Sequence, residues 1–318
     1  MGTGRRVDGW RGGGLATAAA VALLGAVEPS AAGQARVMTD RPDRANSLDT
    51  VSPGMAQIET GLAFLRDPSG NQPVRRVKQE GSFRVGLLET VEFDLVGDLF
   101  IRERAEGQGT SGIGDTTLAA KWRLLDAEDS RPGLGLLPFV KLPTASRTKG
   151  LGSGRVDFGA LLATGIDLPA DLHVDVNAGL AGTGQEEAPG GFFLQKQANA
   201  SFSWAATDWL TPFWEIFYES RDRPAGRPTL GTDFGFSVTV HRRVALDVAG
   251  EVGLAGAAND WAVRAGFTVL LGSFTESSAS AAARRAPRRA SAAALFDSPA
   301  GRTYPAGMAS ASVMGERP

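Results

Sequence analysis

A histidine and an aspartate two positions apart are the first residues in this sequence that could do chemistry. His173 and Asp175 lie in the stretch 172–180, and a histidine beside a carboxylate can act as a general base. No serine or cysteine nucleophile motif accompanies them, so a structural hydrogen bond is the simpler interpretation. If the pair were catalytic, the chain would hydrolyse ester or lipid substrates and would lose that activity on His173→Ala.

Three acidic residues on another stretch form a second candidate. Glu92, Asp94 and Asp98 could bind cations. We expect them instead to pair with Lys121 and Arg123 on a neighbouring strand, because opposite charges facing each other across strands stabilise a sheet.

The composition removes several other kinds of site. The 318 residues include 0 Cys and only 2 His, which excludes a thiolate zinc site, a cysteine nucleophile and a histidine cluster. The glycine run 150–154 lacks the Lys-Ser/Thr ending and the following helix of a phosphate loop. Lys and Arg total 33 against 35 Asp and Glu, a balance that disfavours a nucleic-acid partner. We therefore predict no catalytic residue, no metal site and no cofactor.

Alternating apolar and polar residues predict the strands that would position the polar side chains of this sequence. In Leu172–Leu180 every second residue is apolar, which is the period of a strand and not of a helix. The pattern recurs about twelve times between Gly54 and Gly272. The predicted strands are 55–65, 75–85, 90–101, 115–124, 134–142, 156–166, 172–180, 193–204, 209–219, 233–240, 244–252 and 261–271.

The connections between these strands alternate between short turns and longer loops rich in glycine or charge. Two connections break the rule, because 126–132 is long where a turn is expected and 255–259 is short where a loop is expected. Short turns at one end and long loops at the other are typical of outer-membrane barrels. The runs also have the length of about 9 to 11 residues that a tilted membrane-spanning strand needs.

The distribution of aromatic residues favours a lipid-facing barrel over a soluble β-sandwich. A sandwich needs large apolar residues that interdigitate, whereas many apolar residues here are Ala, Val or Leu. Trp204, Trp209, Phe213, Trp214 and Trp261 cluster near strand ends, as aromatics do at the two membrane interfaces. We therefore predict an all-β fold, a closed antiparallel transmembrane β-barrel of about 12 strands in an up-and-down meander.

The two ends of the chain differ from this pattern. Residues 1–35 have the basic, apolar and small-residue order of a signal peptide, which predicts export, and cleavage after Ala32 or Ala35 fits equally well. Residues 36–53 form a polar leader that would lie in the periplasm or plug the barrel of 54–272. The tail 273–318 is rich in Ala, Ser and Arg, so we expect it to be disordered, as a tether to something anionic or as a dispensable extension.

Several short motifs resemble a known bacterial family. They are Thr39–Asp43, Thr50–Gly54, Gly112–Leu118 leading to Lys121–Arg123, Val140–Thr144 and Asn259–Trp261. Their order and spacing resemble the family named for the putative MetA pathway of phenol degradation, over about Thr39 to Leu271. The resemblance implies an outer-membrane β-barrel, often described as a transporter, with a proposed link to the uptake of aromatic compounds.

The last predicted strand carries a second resemblance. Arg264–Leu271 is similar to the terminal-strand signal that the barrel-assembly machinery of the outer membrane recognises, although the chain continues beyond it. The resemblance implies that machinery and the lipid of the bacterial outer membrane as partners.

The polar faces of the strands would line the lumen of this barrel. The predicted lining residues are Gln57, Glu59, Glu92, Asp94, Lys121, Arg123, Asp175, Gln195, Asn199, Glu215, Asp247 and Arg264. Twelve strands lie between small filled barrels and water-filled porins, so the lumen would hold a narrow channel or be blocked by the leader. We expect passage of small solutes, with aromatic or other hydrophobic compounds among them. The alternative is a structural or surface-interaction barrel that transports nothing.

Overall fold

The computed structural model describes residues 35–67, 74–105, 107–128, 131–185, 188 and 190–273, and the strands among them form one antiparallel sheet. The predicted signal peptide, except for its last residue, and the predicted tail, except for Ser273, lie outside the described residues. The strands are β1 Met55–Asp67, β2 Val74–Leu88, β3 Val91–Ala105, β4 Gln108–Gly112, β5 Thr116–Leu125, β6 Leu134–Leu142, β7 Asp157–Leu168, β8 Leu172–Gly184, β9 Phe192–Trp204, β10 Leu210–Glu219, β11 Thr229–His241, β12 Val244–Gly256 and β13 Trp261–Ser273. The helical structure in this part of the chain is a 3₁₀ turn at Arg147–Lys149, and no helix there is long and apolar enough to cross a membrane.

The sheet closes on itself in chain order. Apart from the short segment β4, each strand pairs with the next strand along the chain. The last strand, β13, returns to pair with β1, with Ile58 opposite Val269 and Gly61 opposite Gly266. The segments β4 and β5 both pair with β3, so they are two parts of one barrel strand. The prediction of a closed twelve-strand antiparallel meander is therefore confirmed.

The two faces of the wall differ as the alternation predicts. On β8, Val176 is 40% exposed on the outer face while the next residue, Asn177, is 1% exposed on the inner face. Leu180 and Phe234 are likewise exposed on the outside. An apolar band around the whole molecule fits acyl chains and would be unfavourable in water.

The structure accommodates two irregularities of the alternating pattern, the polar residues in β2 and the proline in β6. The stretch around Arg75 and Gln79, where polar residues interrupt the apolar face, is a full strand, β2, paired on both sides. Pro138 keeps its place opposite Ala160 of β7, while the β5–β6 ladder is interrupted between Phe139 and Leu136. The proline lacks an amide hydrogen, so it causes a local gap in one ladder without a register shift.

The leader 36–53 enters the barrel at the end that carries the short turns. The amide of Val37 donates to the carbonyl of Arg242 in the β11–β12 turn, at 2.9 Å, and the Thr50 hydroxyl donates to the carbonyl of Glu89 in the β2–β3 turn, at 2.7 Å. Both ends of the leader therefore lie at the turn end, and the residues between them loop up into the lumen.

Candidate functional site

The first anchor of the leader is Arg84, a buried arginine on the inner face of β2. Its Nη1 lies 2.8 Å from Glu59 Oε1 and its Nη2 lies 2.7 Å from Glu92 Oε1, so it joins β1 and β3. The same guanidinium reaches the leader through the carbonyl of Met38, at 2.8 Å, and through Asp40 Oδ2, at 3.1 Å. Arg84 therefore ties three adjacent strands to the leader.

Lys121 on β5 completes this cluster and is fully buried. Its Nζ lies 2.6 Å from Asp40 Oδ2 and 3.4 Å from Glu92 Oε1, and it donates to the carbonyl of Asp49. Burial alone would raise the pKa of Asp40, but the charges of Arg84 and Lys121 hold it below its usual value. Asp40 is therefore ionised at neutral pH and is held by two cations of the wall.

A second anchor is Arg41 of the leader, which binds the wall on both sides of the closing pair β1–β13, at β2 and β12. Its Nη2 lies 3.1 Å from Asp247 Oδ1 and its Nη1 lies 3.0 Å from Glu80 Oε2. Gly61 and Gly266 lie directly beneath this guanidinium, and a Cβ at Gly61 would overlap Arg41 Nη2. The two facing glycines of β1 and β13 thus leave the space that the arginine occupies.

The third anchor is Arg44, near the top of the leader loop. Its Nη2 lies 2.9 Å from Glu251 Oε2 on β12, and its guanidinium stacks over Phe217, 3.9 Å from the ring centroid. Its backbone amide donates to Glu215 Oε2 at 2.8 Å. Arg264 of β13 also binds Glu251, at 2.6 Å.

Hydrogen bonds that are not ion pairs also hold the leader to the wall. Asn46 and Asn177 exchange two hydrogen bonds, of 2.7 and 3.0 Å, and the amide of Val51 donates to Glu92 at 2.6 Å. The hydroxyl of Ser201 donates to Asp43, at 2.6 Å. Withdrawal of the Asp43 carboxyl from water raises its pKa to about 8 in spite of that hydrogen bond.

Several cavities lie beside the leader in the described part of the chain. Two of them share lining residues of the leader, and a third, of about 230 Å³, lies against Arg44 and Asn46. The mid-barrel cavity has a volume of about 380 Å³ and the turn-end cavity about 730 Å³. Four leader residues, Asp40, Arg41, Asp43 and Ala45, line both of them, so this part of the leader forms the wall between the two.

Carboxyl groups dominate the lining of both cavities. The mid-barrel cavity has three arginines, Arg41, Arg44 and Arg84, and the turn-end cavity has Arg41, Arg123 and His173. The carboxyl groups of the mid-barrel cavity are Asp40, Asp43, Glu59, Glu80, Asp94, Asp98 and Asp115. Those of the turn-end cavity are Asp40, Asp43, Asp49, Asp126, Asp167, Asp171 and Asp175.

The residues that the sequence singled out as lumen-lining all fall on inner-face positions of the strands. The ones that contact the leader directly are Gln57, Glu59, Glu92, Lys121, Glu215 and Asp247. The others line a cavity beside the leader or bind other residues of the barrel. They are Asp94, Arg123, Asp175, Gln195, Asn199 and Arg264. That these side chains line a path for solute stays a prediction.

Sequence reasoning missed several partners of the leader. Arg84 was overlooked because the interrupted apolar face of β2 hid its inward register. Asp233, Glu251 and Asn177 occupy polar positions of clearly alternating strands, and those positions were the signal that could have found them.

The charge pairs predicted for β3 were right in one case and wrong in two. Glu92 pairs with Lys121 as expected, at 3.4 Å. Asp98 instead binds Lys78 on β2, at 2.8 Å, and Asp94 lies 3.9 Å from Arg84, also on β2. The predicted pairs failed because β3 has two neighbours, and the cations of β2 are closer to these carboxylates.

His173 lies between two carboxylates. Its Nδ1 is 2.6 Å from Asp167 Oδ1 and its Nε2 is 3.2 Å from Asp175 Oδ1. Ser203 faces His173 across the β8–β9 pair, but both ring nitrogens already face a carboxylate. The arrangement leaves no nitrogen to take a proton from the serine hydroxyl. Within the described ranges no group of three or more Asp, Glu or His side chains has the geometry to hold a metal ion.

Comparison with known proteins identifies relatives of this fold. A family model described as "Putative MetA-pathway of phenol degradation" matches residues 39–271. An outer membrane channel from Pseudomonas putida F1 is similar in structure, with 14% sequence identity and a TM-score of 0.58, over 72% of this chain and 100% of that one. The NanC porin shows 7% identity and a TM-score of 0.44, over 67% of this chain and 98% of its own. The monoaromatic hydrocarbon channel CymD shows 9% identity and a TM-score of 0.38, over 69% and 89%. No match was found among curated protein sequences.

Proposed function

Because this chain belongs to the family described as "Putative MetA-pathway of phenol degradation", we propose that it is an outer-membrane channel through which small solutes diffuse. The observation that carries the proposal is the pair of cavities beside the leader, which meet at residues 40–45. A structural barrel of this size could fill its lumen with side chains, as small barrels do. This barrel keeps polar space on both sides of the inserted segment.

The outer surface supports a location in the outer membrane. Its apolar side chains are exposed around the barrel, and every strand finds its hydrogen-bond partners within the closed sheet. We propose that the barrel-assembly machinery inserts the chain by way of Arg264–Leu271, which forms the closing strand β13 together with its flanks.

The solute class is the finer part of the proposal. The family description suggests aromatic compounds, and Phe213 and Phe217 present two aromatic rings to the lumen. The remaining lining is polar and charged, which favours hydrophilic solutes as well. Liposome swelling with a set of neutral sugars, amino acids and small aromatic acids and amines would rank these classes.

Conductance of the purified full chain in planar bilayers tests the channel itself. We expect discrete current steps in KCl, small for a barrel of this width because the leader occupies part of the lumen. Protein denatured before addition serves as the control for leakage. The rival function is a structural or surface-interaction barrel, which the many ion pairs of the seated leader favour. A folded, inserted protein that shows neither current nor swelling would establish that rival.

A further inference from the structure

We propose that the two cavities select small cations over anions, and that Asp94 and Asp175 are specificity-determining residues of this selection. The inference rests on the proposed channel function and names the charge class of its solutes. It is carried by the charge balance of the described lining and by one buried carboxylate in each cavity, Asp94 without a hydrogen-bond donor for its Oδ1 and Asp175 with a histidine that it shares with Asp167.

Carboxyl groups outnumber basic groups in the lining of both cavities. Seven carboxyl groups line each of them, against three arginines in the mid-barrel cavity and two arginines with one histidine in the turn-end cavity. In a narrow passage with walls of low dielectric constant, an excess of one sign raises the local concentration of the opposite ion.

The arginines are also less available to a solute than their number suggests. Arg41 is bound to Asp247 and Glu80, and Arg84 is bound to Glu59 and Glu92. Each of these arginines thus faces two carboxylates, so its single positive charge is more than balanced by the wall, and an anion that enters would have to compete with carboxylates at short distance.

Asp94 supplies the unsatisfied carboxylate of the mid-barrel cavity. The residue is 7% exposed, and its Oδ1 has no hydrogen-bond partner. The nearest cation, Arg84 Nε, lies 3.9 Å from that oxygen, beyond hydrogen-bond distance. A carboxylate oxygen held away from bulk water without a donor favours a cation beside it.

Asp175 plays the same part in the turn-end cavity. The residue is 9% exposed, and its Oδ1 lies 3.2 Å from His173 Nε2, on an imidazole that it shares with Asp167, so two carboxylates face one histidine. The described carboxylates form no cluster that could hold a metal ion, so the arrangement suits brief contact with a passing monovalent cation. A cation crossing the barrel would meet one of these two carboxylates on either side of residues 40–45.

The experiment is a reversal-potential measurement on the full chain in planar bilayers, with KCl at 0.1 M on one side and 0.5 M on the other, at pH 8. We expect the permeability ratio of potassium to chloride to be about fivefold or more. The variants Asp94→Asn and Asp175→Asn should each lower the ratio by about twofold, and the double variant should bring it close to unity. Asp222→Asn is the matched control, because this exposed loop residue lines neither cavity, and it should leave the ratio unchanged.

A second measurement needs no substitution. Raising the salt to 1 M shortens the screening length from about 10 Å to about 3 Å, so the cation preference of the wild-type protein should shrink. A conducting protein that is unselective or prefers chloride would overturn the inference and leave the channel function standing. So would unchanged ratios in both Asn variants, once each shows the heat-modifiable gel mobility of the folded barrel. A folded wild-type protein without any conductance would overturn both.

Discussion

Arg84 shows how one residue can organise the lumen. It is 2% exposed and bridges carboxylates of two strands and one of the leader. When a buried cation with several carboxylate partners is removed, all of those carboxylates are left buried without a counter-charge. The loss of stability is then much larger than the net contribution of the ion pairs to folding.

We expect Arg84→Gln to lower the free energy of unfolding of the barrel by about 3 kcal/mol or more. The measurement is urea unfolding in lipid vesicles, followed by tryptophan fluorescence. Arg102→Gln is the control, because Arg102 is exposed on β3, and it should change stability by less than about 0.5 kcal/mol. Equal effects of the two substitutions would show that the Arg84 cluster stabilises nothing.

Asp43 makes the seating of the leader dependent on pH. Its pKa is about 8 in the folded chain, against an ordinary value of 3.8, because the carboxyl is removed from water. The seated state therefore binds the proton more tightly than the released state does. Seating is unaffected by pH below about 4, becomes less favourable as pH rises from about 4 to about 8, and changes no further above that.

We accordingly expect the open probability in planar bilayers to rise between pH 5 and pH 8 and to stay level above that. Asp43→Asn, which mimics the protonated carboxyl and can keep the contact with Ser201, should remain at the low-pH level throughout. A variant that shows the same rise as the wild-type protein would assign the pH dependence to another group.

At the scale of single residues, alternation predicted which side chains face inward but not which of them meet. The period of two places Glu92, Asp94 and Lys121 on one face. Their partners depend on the register between neighbouring strands, and a one-residue change of register alters every cross-strand pair. This is why the Glu92–Lys121 pair was predicted and the Asp94–Arg84 approach was not.

At the scale of elements, the sequence did not determine whether the leader lies in the periplasm or inside the barrel. Residues 36–53 are polar and rich in turn formers, and they have no period that would show which side faces the wall. Its course is fixed by long-range ion pairs, such as Arg41 to Asp247, between residues 206 positions apart. Local pattern contains no information about contacts of that kind.

The leader should act as a removable constriction. We expect the double variant Arg41→Ala/Arg44→Ala to lose the ion pairs with Asp247 and Glu251 and to raise single-channel conductance by about twofold or more as the lumen empties. The measurement is single-channel conductance in KCl.

Arg36→Ala is the matched control for that experiment. Arg36 is an exposed leader residue, and its replacement should leave the conductance at the wild-type value. An unchanged conductance in the double variant, with the barrel folded, would mean that the leader stays in place without these arginines or does not restrict the current.

At the scale of the whole molecule, the strand pattern was sufficient to predict a closed barrel, because strands of this kind in lipid must close into a ring. Twelve runs of membrane-spanning length with one apolar face leave unpaired edges unless the first and last strands meet, and lipid offers no partner for an open edge. The pairing of β1 with β13 is the result. One barrel strand is split into β4 and β5 at residues 113–115. Barrel closure does not require this split, so the strand pattern did not predict it.

A depth-dependent substitution test decides whether this surface faces lipid. Val176 lies near the middle of β8 and Leu172 at its turn end, and both are exposed on the outer face. We expect Val176→Arg to destabilise the barrel in vesicles by about 2 to 4 kcal/mol, and Leu172→Arg by about 0 to 1 kcal/mol, because an arginine at the end of a strand reaches the polar interface. Urea unfolding in lipid vesicles measures both. In a water-soluble barrel the two positions would be equally hydrated and the two substitutions would cost the same, so the difference between them reports the hydrocarbon layer itself.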